Sequence, residues 1–164
     1  MEIHANVIDR LRRLFARLDA DLVRTMGRRG PWALRVSLGL VFAWFGALKL
    51  VGESPVSHLA EGLVPGISTA LLVTVLGLWE LGVGIGLLVG KAMRIVLGFL
   101  WFQMAGTLAL LVLRPDRIFV DGNPFLLTLE GEFVIKNFVL ISGGLVLGGT
   151  LRPIMKSSGA RKTA

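Results

Sequence analysis

The sequence predicts an all-α fold: a four-helix transmembrane bundle with an N-terminal amphipathic interfacial helix. Composition is the first reason. Of 164 residues 54% are hydrophobic and only 18% are charged, with a mean hydropathy of +0.72, whereas a soluble domain carries about 25% charged residues. The second reason is length. Apolar stretches fall at about 31–51, 66–90, 93–113 and 133–151, and a spanning helix needs about 20 mostly apolar residues. The third is the sparse, one-sided placement of the charges.

Taken in order, residues 1–29 come first. Val7, Ile8, Leu11, Leu14, Phe15, Leu18 and Leu22 recur at helical spacing, with arginines on the opposite face. Such a helix lies in the headgroup layer, its cations drawn to anionic lipid. The membrane domain follows over 30–153. Its first span holds Arg35 and Lys49 near its ends, the second a single charge at Glu80, the third none between Ile95 and Leu113, and the fourth Lys136. Only a few residues around Lys91 separate the second and third spans, so these two form a tight antiparallel hairpin. The apolar run 124–129 is expected to lie on the membrane surface or cap the bundle. Residues 154–164 form a polar, basic tail.

Orientation follows from Lys and Arg, which accumulate on the cytoplasmic side. Fourteen of the 18 fall on the side of the N-terminus, leaving only Lys49, Arg114, Arg117 and Lys136 opposite. Both termini are therefore expected in the cytoplasm, with the bundle in a bacterial inner membrane. No signal peptide is expected, because the first apolar stretch begins some thirty residues in without a small-residue cleavage signature. The net charge of +7 comes without the interleaved aromatics of a nucleic-acid surface. The chain has no cysteine and two histidines, His4 and His58, both outside the spans. Thiol chemistry, Cys-ligated iron–sulfur clusters and a bis-histidine haem are thereby excluded, and no metal centre is expected within the membrane.

An ionisable residue at membrane depth is costly and reads as functional by default. Glu80, eleven residues before Lys91, lies roughly 16 Å from that boundary. Gln103, nine after Arg94, lies roughly 13 Å from it, and Trp44 and Ser142 fall at similar levels. Glu80 and Gln103 would floor a pocket, Trp44 wall it, and Lys49 and Lys136 stand at its mouth about one turn below the outer surface. Glu80 is expected to point inward, within reach of Gln103 or a lysine, with water or a ligand headgroup completing the link to the lysines. A quinone, with polar oxygens and an isoprenoid tail, suits such a pocket. The plainer alternative is a Glu80–Gln103 contact that fixes helix register, with the lysines snorkelling. Gly82, Gly86 and Gly90 on the second span, and Gly144 and Gly148 on the fourth, read as close-packing faces.

Four stretches resemble DoxX-like integral membrane proteins: Arg35 through Lys49, Trp79-Glu80-Leu81-Gly82-Val83-Gly84, Gln103-Met104-Ala105-Gly106-Thr107-Leu108, and Leu129 through Asn137. Together they cover roughly 30–153. The resemblance implies a four-helix membrane bundle and brings forward Lys49, Glu80, Lys136 and Asn137 as the family-type polar positions. Its relatives include the small subunit of a thiosulfate:quinone oxidoreductase and partners in redox-stress complexes.

Three functions remain open on the sequence. The first is a quinone-interacting or accessory subunit of a membrane redox system, with the redox centre on a protein partner and no covalently bound cofactor. The second is a non-catalytic scaffold in a larger complex or homo-oligomer. The third is a small-solute or ion permeation protein. No residue is assigned a catalytic role.

Overall fold

The computed structural model describes residues 2–54 and 57–153, with side chains for these except 2–9, 11, 57 and 58. The basic tail, Pro55 and the side chains of His4 and His58 lie outside it. The chain is all-α, with no strand among the described residues. Its elements are α1 (Glu2–Leu50), α2 (Thr69–Val89), α3 (Met93–Leu113), the one-turn α4 (Pro115–Ile118), α5 (Leu129–Ile135) and α6 (Asn137–Gly149). Short 3-10 turns occupy Ser57–Ala60 and Val120–Gly122. Four helical units are long and apolar enough to cross a membrane: α1, α2, α3 and the continuous stretch Leu129–Gly149 formed by α5 and α6. They close a ring in which α1 packs on α2, α2 on α3, α3 on α6, and α6 back on α1.

The 49 residues of α1 amount to roughly 74 Å of helix, more than twice the ~30 Å hydrocarbon thickness. The amphipathic segment is helical, as its periodicity predicts. It is not a separate element: α1 runs through Pro31 without a break. Pro31 removes one N–H from the ladder, but no Ser, Thr, Asp or Asn stands just before it to cap a new start, so the helix continues. Leu14, Phe15, Leu18, Leu22, Val23 and Met26 are all exposed, a stripe that the bundle does not touch.

The spans begin where a side chain caps them. Ser68 Oγ accepts from Leu71 N–H at 3.3 Å, so α2 starts at Thr69 rather than 66. Thr128 Oγ1 accepts from Gly131 N–H at 3.0 Å, so the fourth span starts at Leu129 rather than 133, with Glu130 and Glu132 in its first turn. Carboxylates are favoured there by the helix dipole. The α2–α3 hairpin is as tight as expected. Gly90 closes α2 at φ 73°, and the Arg35 guanidinium donates to the Leu87 carbonyl at 3.0 Å, satisfying an orphaned acceptor of the last turn. Opposite the hairpin, Leu59, Leu110, Ile118 and Val134 form a small apolar cluster with Leu127 packed against it. Residues 57–68 and 114–128 thus cap that end of the bundle, while Phe125 and Leu126 stay exposed.

α1 and α2 meet backbone to backbone. A Cβ on Gly46 would lie 2.5 Å from Leu81 N and 2.7 Å from Gly77 O, and one on Gly84 would collide with Ala43 N. The expected face of Gly82, Gly86 and Gly90 is not a single interface. Gly82 borders open space, Gly86 meets Val96 of α3, and Gly90 meets Arg35. The helix approach selects residues seven apart, Gly77 and Gly84, because those share the azimuth that faces α1. Gly144 and Gly148 do pack, against Trp101.

This geometry separates two otherwise similar substitutions. Gly46→Ala forces backbone apart and should cost about 1–3 kcal/mol, whereas Gly82→Ala should be neutral or slightly stabilising through helix propensity. Thermal unfolding in detergent measures both, and equal melting temperatures would refute the backbone contact.

Candidate functional site

Beneath the capped end, three helices converge on one carboxylate. Lys49, in the last turn of α1, stands against Gly77 of α2. Its Nζ donates to Glu80 Oε2 at 2.6 Å, and Gln103 Nε2 of α3 donates to Glu80 Oε1 at 2.7 Å. The Lys49 and Glu80 side chains are only 12% and 13% exposed. Both carboxylate oxygens are therefore engaged, one by a cation and one by a neutral donor. That is how a low-dielectric interior tolerates an acid.

Glu80 thus points inward and reaches Gln103, as its depth and the shortage of other donors predict. The expected gap to the lysines is absent. Lys49 reaches Glu80 directly, because α1 ends level with Gly77, eight residues into α2, or roughly 12 Å below the start of that helix. Measured from its own chain end, Lys49 looked shallow; measured against its neighbour, it is deep. Lys136 does not join it. Its Nζ sits 3.4 Å from Glu132 and 5.3 Å from the Phe133 ring centre, and its side chain is exposed.

Trp44 is a correction. Its side chain is 69% exposed and walls nothing. The bundle face of α1 is set by Leu38, Phe42 and Lys49, and Trp44 lies about 200° around the helix from Phe42. Height had been read from the sequence without azimuth. Ser142 likewise leaves the expected layer, its Oγ donating to Phe138 O at 2.8 Å within its own helix.

Beside the ion pair is a cavity of about 390 Å³. Lys49 and Glu80 lie in its wall with the buried Phe42, Met104 and Val134, and Ser54 and Leu59 of the capping segment close it. Phe45 and Phe133 meet edge to face across it, ring centres 6.4 Å apart. Asn137 also lines the cavity and is 7% exposed. Among the described residues, nothing hydrogen-bonds its side-chain amide. Phe42, Phe45, Thr107 and Phe133 escaped the sequence reading. The spacing Leu38, Phe42, Phe45, Lys49 is the signal that would have found the first two. Nothing in the sequence pairs Phe133 with Phe45.

The described residues contain no group of three or more His, Asp or Glu able to hold a metal. What the arrangement offers is an apolar chamber with a neutralised ion pair in one wall and the Asn137 amide in another. Compared with known protein families, curated proteins and solved structures, the chain matches none.

The ion pair should behave as a unit. Lys49→Met leaves Glu80 buried with Gln103 alone and should destabilise by about 3–5 kcal/mol, while Lys49→Met with Glu80→Leu should recover most of that loss. A double-mutant cycle in detergent measures the coupling. A value below about 1 kcal/mol, typical of exposed pairs, would show that the buried contact is not made.

Proposed function

We propose that this protein is an integral membrane subunit that binds a quinone-class molecule in the cavity beside Lys49 and Glu80. In this reading the electron-transferring centre is on a protein partner and the chain itself catalyses nothing. The observation that carries the reading is the cavity: about 390 Å³, mostly apolar, with Lys49, Glu80 and Asn137 as its inward polar groups. Pockets for small molecules combine apolar walls with a few placed polar groups in this way. The resemblance of the four stretches to DoxX-like proteins, some of which serve quinone-linked oxidoreductases, points to the same ligand class. A scaffold reading has its own support, since both Glu80 oxygens are already satisfied within the protein. The pair would then fix the register of α1, α2 and α3.

A decyl-tailed benzoquinone titrated into the protein in nanodiscs separates the two. Saturable quenching of tryptophan fluorescence is expected. The double substitution Lys49→Met, Glu80→Leu should keep the fold, since it leaves no buried charge unpaired, yet weaken binding about tenfold, or 1.4 kcal/mol. Non-saturable partitioning by the unaltered protein would refute the quinone reading, and unchanged binding by the double variant would leave the pair a register device.

The Lys and Arg distribution supports a bacterial inner-membrane placement with both termini cytoplasmic, and the exposed stripe of α1 supports contact of residues 10–29 with the headgroups. Single cysteines in this Cys-free chain test both. Ser54 is a poor reporter because it is buried, so exposed Asp121 serves instead. An impermeant thiol reagent should label Asp121→Cys in intact cells, Arg13→Cys only after permeabilisation, and Leu22→Cys poorly in both. Labelling of Arg13→Cys in intact cells would invert the topology, and equal labelling of Arg13→Cys and Leu22→Cys after permeabilisation would leave the stripe in water.

A further inference from the structure

The residues lining the cavity differ in exposure according to the element that supplies them. Those from α2, α3 and the capping segment with described side chains are buried or half-buried, including Glu80, Met104, Thr107, Ser54 and Leu59. Solvent-accessible lining residues come from α1 and the α5–α6 unit: Val41 at 38%, Phe45 at 40% and Lys136. The cavity therefore opens sideways, between α1 and α5–α6. Towards the hairpin end this seam is shut, because the Leu34 and Leu38 side chains press on Gly143. Towards the capped end Leu59 and Ser54 close it.

We infer that the cavity is loaded laterally from the bilayer through this seam by a linear amphiphile whose polar head is held by the Asn137 amide. The inference rests on the ligand site proposed above and adds its route, its orientation and its anchor. Asn137 opens α6 beside the break at Lys136, where the helical ladder tightens and Val139 N–H donates to Lys136 O at 3.0 Å. Asn137 is 7% exposed, lines the cavity and makes no side-chain hydrogen bond among the described residues. A carbonyl or hydroxyl headgroup would accept from its NH2 or donate to its oxygen. Lys49 and Glu80 are already bonded to each other, so the head meets Asn137 as the open polar valence and the ion pair as a neutral wall. The rim carries Val41, Phe45, Phe133 and Leu140, with Lys136 beside them. An apolar rim suits a tail that remains in lipid and disfavours a hydrated solute. The Phe45–Phe133 pair forms the threshold that such a tail crosses.

Two probes carrying a diazirine in the tail test this with the whole protein in nanodiscs: a decyl-tailed benzoquinone and a long-chain fatty alcohol. After illumination, mass spectrometry should find adducts concentrated in residues 41–48 and 133–140 rather than on the exposed face of Phe99 and Phe102. Asn137→Leu should reduce seam adducts several-fold. Val41→Trp, which plugs the rim from an exposed position, should do the same without disturbing the interior. If the alcohol marks the seam and depends on Asn137 while the quinone does not, the route and anchor stand and the quinone reading falls. If the quinone binds saturably but its adducts ignore both substitutions, the lateral route falls and the quinone site stands. Adducts of both probes spread evenly over the apolar surface would overturn the inference.

Discussion

Much of this architecture follows from the need to neutralise one carboxylate at mid-membrane depth. Glu80 sits near the middle of α2, where an uncompensated charge is intolerable. The nearest cation is Lys49, and its stem reaches Glu80 only if α1 lies directly on α2. Gly46, Gly77 and Gly84 permit that approach by having no Cβ where the two backbones meet. Packing of small residues is the main source of helix association in lipid, where the hydrophobic effect between helices is absent. The glycine contact and the ion pair therefore depend on each other. The first brings Lys49 to the right height and azimuth, and the second gives the α1–α2 register an electrostatic reason to be unique.

The cavity runs past the level of the ion pair. Lys49 stands level with Gly77, so α1 stops about two turns short of the start of α2. Beyond its end, Leu59 joins Leu110, Ile118 and Val134 to form a lid of side chains. Thr128 anchors the facing segment, with its Oγ1 donating to Arg117 O at 2.6 Å. Below that lid the lining of the cavity extends along α1 from Lys49 to Val41 and Phe42, about two turns nearer the hairpin, with Met104 of α3 and Leu140 of α6 completing it.

The sequence disclosed heights and withheld angles. Span number, the α2–α3 hairpin and the level shared by Glu80 and Gln103 all follow from counting residues against a fixed rise, and the structure bears them out. Which side of a helix faces the bundle does not follow from counting when apolar residues surround it. The helix that faces lipid and protein with similar side chains has no amphipathic signature to read. Trp44 was misplaced for that reason, and Phe45 was overlooked. Lys49 and Lys136 look equivalent in sequence, each one turn inside an end, yet one is buried on Glu80 and the other exposed beside Glu132. The difference lies in where each helix stops relative to its neighbours, a tertiary fact. The joining of the amphipathic segment to the first span through Pro31 was hidden for a local reason. Gly30-Pro31 reads in sequence as a turn signal, yet the helix runs through it.

The ring of helices is held unequally, and this gives the seam its character. α1 and α2 are locked by backbone contact. α3 and α6 are locked by Trp101, whose Nε1 would lie 2.7 Å from a Cβ on Gly144. These two pairs join along α2 and α3, where Trp79 Nε1 donates to Phe99 O at 3.2 Å and the Trp79 ring meets the Phe99 ring edge to face. The remaining edge, between α1 and α5–α6, has only Leu34 and Leu38 against Gly143 at one end and the Phe45–Phe133 contact at the other. Among the described residues, no side-chain hydrogen bond or ion pair crosses it. A ligand that parts this edge disturbs ring contacts and dispersion alone and leaves the ion pair intact. Of the four edges of the bundle, it is the one that can admit a guest without exposing Glu80.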